Sequence, residues 1–220
     1  MHSRTRRGFE NRSRHKHGRC AQSEIEQFDK MSINLKPQFP FLINPAHKHS
    51  KFYHRLKVPA RTILIREGEI AKKVFLIERG CIRAWVNNNG RDVTFQFFFE
   101  NEAVSSSESF RKNIPSLFTI ETIEPCVLHW IHKKDWETVV GDVSQLPNIR
   151  DKAMNSTFER QYQYIRQLIS FIIDSPEQRY LNLLQEKPHI IRRVPLQYIA
   201  TYLGITPVSL SRIRKRVDGK

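Results

Sequence analysis

Seven side chains near the C-terminus hold the most specific chemistry in this chain: Thr206, Val208, Ser209, Ser211, Arg212, Lys215 and Arg216. Short hydroxyls hydrogen-bond phosphate oxygens, lysine neutralises a phosphate as a point charge, and an arginine fork matches the O6/N7 edge of guanine. Presented on one helix, such residues suit the major groove of duplex DNA. Arg212 is placed for bidentate contact to a guanine, with Thr206 and Ser209 as phosphate contacts. The plainer reading of the same pattern is a helical hairpin whose basic outer face is merely solvated.

Two short helices and a tight turn would position these groups. Ile199, Ala200 and Leu203 give the first helix an apolar stripe at helical spacing. Gly204 stands where a helix exit needs positive φ, and Ile205 plugs the corner. Thr206 can N-cap the second helix, with Pro207 at its first position, where a missing N–H costs nothing. Leu210, Ile213 and Val217 then lie on the inner side, and Val208, Ser211, Arg212 and Lys215 on the outer side, with Ser209 and Arg216 at the flanks.

Charge distribution agrees with a polyanion partner. The formal charge of +15 is concentrated at the two ends, with +9 in residues 1–60 and +7 in residues 187–220, so the middle nets −1. Charge alone does not separate DNA from RNA or anionic lipid. Three scattered cysteines, Cys20, Cys81 and Cys126, make neither a disulfide framework nor a metal-ligand spacing. No membrane-length apolar run and no signal-peptide core is found, so a cytoplasmic, reducing compartment is expected. Residues 1–48 are expected to form a basic, disordered extension. His2, His15 and His17 have no supporting fold for a metal, and Met31 is an alternative natural start.

From Phe52 to Trp130 short apolar runs alternate with turn residues. Strands are expected at Thr62–Ile65, Val74–Ile77, Cys81–Val86, Val93–Phe99, Leu117–Ile123 and Val127–Trp130, with Asn87-Asn-Asn-Gly90 as a hairpin turn. Such a set argues for an antiparallel sandwich or small barrel. The runs Ile65-Arg-Glu-Gly-Glu69 and Val74-Phe-Leu-Ile-Glu-Arg-Gly80, followed by that hairpin, resemble the cyclic-nucleotide-binding jelly roll of the Crp/Fnr family of bacterial regulators. Gly68 and Gly80 stand where that family turns between strands. The family places a long dimerisation helix next and a helix-turn-helix last, and the resemblance spans roughly residues 50–217.

In that family a Gly-Glu pair grips the ribose of the ligand and an Arg-Ser pair neutralises its cyclic phosphate. Carried to this chain, Ser105 and Ser106 stand where Gly-Glu belongs, and Ser116 and Leu117 where Arg-Ser belongs. A buried phosphate without its cation is poorly compensated, so cyclic AMP binding of the usual kind is not expected. Arg111 and Lys112, in the same loop, are the candidate substitutes. Cys20 alone cannot supply the iron–sulfur cluster of the oxygen-sensing branch. His129 and His132 read as ordinary histidines rather than haem or metal ligands. The Ser105–Ser109 run has no paired histidine, so no catalytic residue, metal or cofactor is assigned.

Pro147 opens a helix in which Met154, Phe158, Tyr162, Ile165, Ile169 and Ile172 repeat at spacings of four and three. That is a coiled-coil-like seam. Leu168 and Phe171 add a second flank that can face the helix's own domain. Asp174-Ser-Pro-Glu-Gln178 breaks the helix, with Ser175 as N-cap and Gln178 completing a capping box; Tyr180, Leu181 and Leu184 would anchor the next one.

The expectation is therefore an α+β chain: an antiparallel β jelly roll over residues 49–146, a dimerisation helix over 147–173, and a helix-turn-helix domain over 174–220 that lacks the family's full hairpin wing. The dimer interface would use Phe158, Tyr162, Ile165, Ile169 and Ile172. The resemblance implies duplex DNA, a second copy of the chain and RNA polymerase as partners, and no membrane. Family members often carry Arg and Glu just after the helix cap; Pro207 and Val208 stand there, so the familiar operator is not assumed. The rival readings are a ligand- or partner-sensing module with weakened DNA binding, and a jelly-roll enzyme, which the missing ligand constellation disfavours.

Overall fold

The computed structural model describes residues 48–219 apart from 144 and 146; the N-terminal extension read from the sequence lies outside the described residues. Eight strands are present among them: β1 His54–Val58, β2 Ile63–Ile65, β3 Lys73–Arg79, β4 Ile82–Asn88, β5 Arg91–Phe98, β6 Ala103–Val104, β7 Thr119–Thr122 and β8 Cys126–His132. They form two antiparallel four-stranded sheets, ordered β1-β8-β3-β6 and β2-β7-β4-β5. The inner faces meet through Ile77, Ile82, Ala84, Phe98, Ile120 and Leu128, all buried. This is a jelly roll of two antiparallel sheets packed face to face.

Turn chemistry closes the roll. Asn89 and Gly90 both have positive φ, 53° and 83°, which lets the β4–β5 hairpin turn in two residues. Gly80 has φ 116°, and a Cβ there would sit 2.4 Å from Cys126 Sγ, so the β3–β4 corner has room only for glycine. Between β6 and β7 lies α1, Ser107–Lys112. After β8 comes α2, Lys133–Val143, which packs on the first sheet and buries Val139.

The long helix α3, Pro147–Ile173, has 27 residues and spans about 40 Å at 1.5 Å per residue. Its seam residues Met154, Phe158, Tyr162, Ile165, Ile169 and Ile172 are all exposed. The second flank differs from expectation. Phe171, 38% exposed, lies against Arg179 and Gly204 rather than the roll, and Leu168 is 62% exposed. Gln167 takes the inward place, donating to Phe95 O at 3.4 Å, and Arg160 lies 5.6 Å from the Phe98 ring centroid. Positions 160, 167 and 171 share one side of the helix, and 168 falls a turn of about 100° away.

Helices α4 Pro176–Glu186, α5 Pro188–Arg193, α6 Leu196–Tyr202 and α7 Pro207–Asp218 follow. Ser175 caps α4 by accepting from Gln178 N–H at 3.2 Å, while the Gln178 side chain donates to Asn182 Oδ1 at 2.8 Å. Tyr180 and Leu183 enter the core; Leu184, expected there, is exposed, because the buried stripe runs one residue earlier. A second hydrophobic cluster joins Cys81 and Phe97 of the roll to Tyr180, Leu183, Ile190, Val194, Ile199, Ala200 and Tyr202.

Candidate nucleic-acid interface and effector pocket

Helices α6 and α7 are joined by a tight turn. Gly204 has φ 69°, and Thr206 Oγ1 accepts from Ser209 N–H at 3.1 Å, capping α7 with Pro207 at its start. Leu210 and Ile213 are buried against α6, whose Ile199 and Ala200 are buried in turn. That burial fixes which side of α7 faces outward. Val208, Arg212 and Lys215 are exposed on it and Ser211 is half-buried beside them. Among the described residues, neither Arg212 nor Lys215 has an ion-pair partner. Arg216 does: its guanidinium lies 3.1 Å from Glu177 Oε2, so it is anchored to α4 at the flank. Ser209 is turned into the cap, 2.9 Å from Thr206 Oγ1.

The serines of the expected effector pocket are spent on closing the roll. Ser106 and Ser116, both buried, approach to 2.9 Å through their hydroxyls, and Ser116 Oγ lies 2.7 Å from Phe118 O as donor. Ser116 N–H donates to Glu69 O and its carbonyl accepts from Gly68 N–H at 2.8 Å, clamping the loop to the β2–β3 turn. Ser105 Oγ donates to Lys73 O at 2.8 Å, and Ser109 Oγ accepts from Ala71 N–H at 2.9 Å. Arg111 and Leu117 point outward instead, Leu117 with 69% of its surface exposed. The five residues do not converge on one ligand position. Inside, Phe95 and Phe118 stack edge to face at 5.1 Å against the roll's core.

Arg111 instead edges an open groove of about 660 Å³ between α1 and α2, floored by Val74, Val104, Phe110 and Trp136. Lys133, on the same rim, is tied to Asn113 Oδ1 at 3.0 Å. His129 bonds Glu78 Oε2 at 2.8 Å, and Glu78 also receives both ends of the Arg55 guanidinium. Those arginine bonds lead in holding the Glu78 carboxyl down to about 2. No group of His, Cys, Asp or Glu among the described residues is arranged to hold a metal ion. Burial pushes the Cys126 thiol up to about 11 and the Cys81 thiol higher still, so both are poor thiolates.

Two polar assemblies join roll and reading head, and neither was foreseen. Arg83 is buried on β4 and donates to Glu121 Oε2 through Nε at 2.9 Å and Nη2 at 2.6 Å, to Asp92 at 2.8 Å and to Thr94 Oγ1 at 3.3 Å. Its guanidinium also stacks 4.0 Å from the Tyr198 ring of α6. Arg193 of α5 grips Glu100 by two bonds of 2.8 Å and also bonds Glu124; the Arg193 bonds hold Glu100 down to about 2. The available signal for the first was the lone charge on each of two facing strands, Ile82-Arg-Ala and Ile120-Glu-Thr.

A family model described as "Cyclic nucleotide-binding domain" matches residues 55–142. No curated protein matches the chain. Among solved structures, the c-di-GMP-responsive global regulator CLP of Xanthomonas campestris is 19% identical, over 77% of this chain and 88% of that one, at a TM-score of 0.63. FixK2 of Bradyrhizobium japonicum is 15% identical over 76% and 85%, at 0.64. A CooA variant of Carboxydothermus hydrogenoformans is 12% identical over 81% and 83%, also at 0.64. At these identities the likeness is one of fold: an antiparallel jelly roll followed by helices. Among the described residues, no helix is long and apolar enough to cross a membrane.

Proposed function

We propose that this chain is a cytoplasmic, DNA-binding transcription regulator that acts as a homodimer and does not take cyclic AMP in the usual way. The observation behind this reading is the outward face of α7, which presents Arg212 and Lys215 unpaired opposite the buried Leu210 and Ile213. A capped helix with that division lies naturally along a major groove. Exposed apolar side chains along α3 leave on the order of 1,000 Å² per protomer uncovered, and a standard interface takes about 800 Å² from each partner. Two-fold pairing of α3 would set the two α7 helices on half-sites about 34 Å apart. The Crp/Fnr resemblance adds RNA polymerase as a partner and argues for a regulator rather than an enzyme.

The deciding experiment is a titration of wild type, Arg212→Ala and Lys215→Ala on a selected duplex and on scrambled DNA at several salt concentrations. Arg212→Ala should cost about 1–3 kcal/mol on the selected site and relax one base position per half-site. Lys215→Ala should weaken all sequences alike and flatten the salt slope, since a phosphate contact releases a counterion without reading a base. Equal loss on both DNAs for Arg212→Ala would make it a phosphate clamp; no change for either variant would end the helix-turn-helix reading.

A further inference from the structure

We propose that Val208 reads the C5-methyl group of a thymine, so that each half-site prefers a T within two base pairs of the guanine contacted by Arg212. This rests on the DNA-binding reading of α7. In the first turn of an otherwise basic and hydroxylated face, Val208 stands 61% exposed. The inward direction of α7 is set by Leu210, Ile213 and the half-buried Val217. At about 100° per residue, Val208 and Lys215 fall almost opposite that direction, with Arg212 to one side and Ser211 to the other. Val208 is therefore the side chain aimed most directly at whatever the helix faces.

Its chemistry narrows the target. Valine has no donor or acceptor, so it reads neither phosphate nor the hydrogen-bonding edges of G, A or C. The single apolar feature of the major groove is the thymine methyl, for which apolar side chains are the matching contact. Its location in the first turn also fits, because the N-terminal residues of a recognition helix are those that approach base edges. Thr206 accepts from Ser209 N–H and Pro207 fixes the φ of the first position, so the Val208 backbone is held rather than frayed. Valine is also stiff at χ1, which limits how far its methyls can turn aside. Val208 and Arg212 are four residues apart on one face, with Cβ atoms roughly 6 Å apart, which spans no more than about two base-pair steps of 3.4 Å. The thymine should thus lie within two base pairs of the Arg212 guanine.

The test replaces each thymine of a selected duplex, one at a time, by deoxyuridine, which removes only the methyl. The expected result is one position per half-site where wild-type binding falls about fourfold, as loss of one buried methyl predicts. In Val208→Ala that penalty should shrink to near unity while the other positions are unchanged. Because Val208 is exposed, Val208→Ala should fold normally, and its unfolding midpoint is measured alongside. If no thymine shows a methyl effect, or the effect survives undiminished in Val208→Ala, the inference is wrong although the DNA-binding reading stands. If no duplex can be selected over scrambled DNA, both fall together.

Discussion

Thr94 of β5 donates its backbone N–H to the Thr201 hydroxyl of α6 across 3.2 Å. β5 is the edge strand of its sheet, so its outer side can bond other elements, and its ladder slips at this point: Ala84 pairs with Gln96 but Trp85 pairs with Thr94, leaving Phe95 as a bulge. The bulged residue's carbonyl goes to Gln167 of α3 at 3.4 Å. Neighbouring residues of one edge strand thus supply a donor to α6 and an acceptor to the long helix. Arg91 at the start of the same strand adds a bond of 3.1 Å to Ile205 O, in the turn of the helix-turn-helix. A change in the roll's second sheet would reach α6 and α3 through a single strand.

The Arg83 cluster fixes that sheet beneath α6. Truncating Arg83 to alanine leaves the Glu121 carboxylate in a mostly buried site without its cation, and breaking such pairs typically costs about 3–5 kcal/mol. Chemical unfolding of Arg83→Ala should show a loss in that range, with Glu121→Gln losing less because its amide still accepts a hydrogen bond. A loss under about 1 kcal/mol would mean that water solvates the freed carboxylate in the arginine's place.

Much of the reading head was legible because its signals are local. Gly204, Thr206 and Pro207 each act within a few residues, so cap, turn and helix start follow from their order. The Asn89-Gly90 turn was legible for the same reason. By contrast β1 was missed: His54-Arg-Leu-Lys-Val58 is a charged edge strand paired only with β8, and β6 is two residues long and exists through its partner β3. The sequence placed the pocket residues in the stretch between β6 and β7, but the Ser106–Ser116 and Ser109–Ala71 bonds that close it depend on contacts between distant segments. The Arg83 and Arg193 assemblies were hidden likewise: Arg83 meets Glu121 only through strand register and Tyr198 only through helix docking, and Arg193 reaches Glu100 and Glu124 from a distant helix.

The α3 seam should hold a dimer. Ile169→Glu or Ile165→Glu would place a carboxylate at the centre of the pairing face, where an unpaired charge is strongly disfavoured. Light scattering should show a wild-type dimer and a monomer for each variant, with unchanged circular dichroism. A wild-type monomer at micromolar concentration contradicts the seam.

Cyclic AMP should not bind tightly. Ser106 and Ser116 satisfy one another, and Phe118 follows directly with its ring on Phe95. Calorimetric titration should give no heat of binding in the micromolar range. Binding that is lost in Arg111→Ala would show that this surface cation had swung in to meet the phosphate.

Acid should loosen the molecule through two carboxylates. Glu78, held by Arg55 and then His129, and Glu100, held by Arg193 and Gly80 N–H, both lie near 2 in the folded chain. Unfolded glutamate titrates at about 4.3. Folded values below unfolded ones mean that the stabilisation is present above that pH and is lost as pH falls from about 4.5 toward 2. Glu102, raised by burial, works in the opposite sense. Urea midpoints from pH 7 to pH 3 should therefore decline, and Glu78→Gln with Glu100→Gln should flatten the decline. An equally steep profile in the double variant would assign the acid sensitivity to other groups.

Gly204 couples the reading head to the long helix by what it lacks. Its φ is 69°, and a Cβ there would lie 2.8 Å from Phe171 Cε1. Phe171 is itself covered by the Arg179 guanidinium at 4.9 Å, and Arg179 is held by Leu203 O and Asp174 O. The ring therefore has packed neighbours that oppose its withdrawal. Gly204→Ala should cost about 1 kcal/mol or more for the left-handed conformation alone, plus the cost of displacing the ring. The two parts separate in a double-mutant cycle with Phe171→Ala. With the ring removed, Gly204→Ala should lose only the conformational part, so the cycle should show a coupling of about 0.5–3 kcal/mol. Unfolding midpoints of the four proteins provide the measurement. Strict additivity would mean that the turn and α3 merely lie side by side.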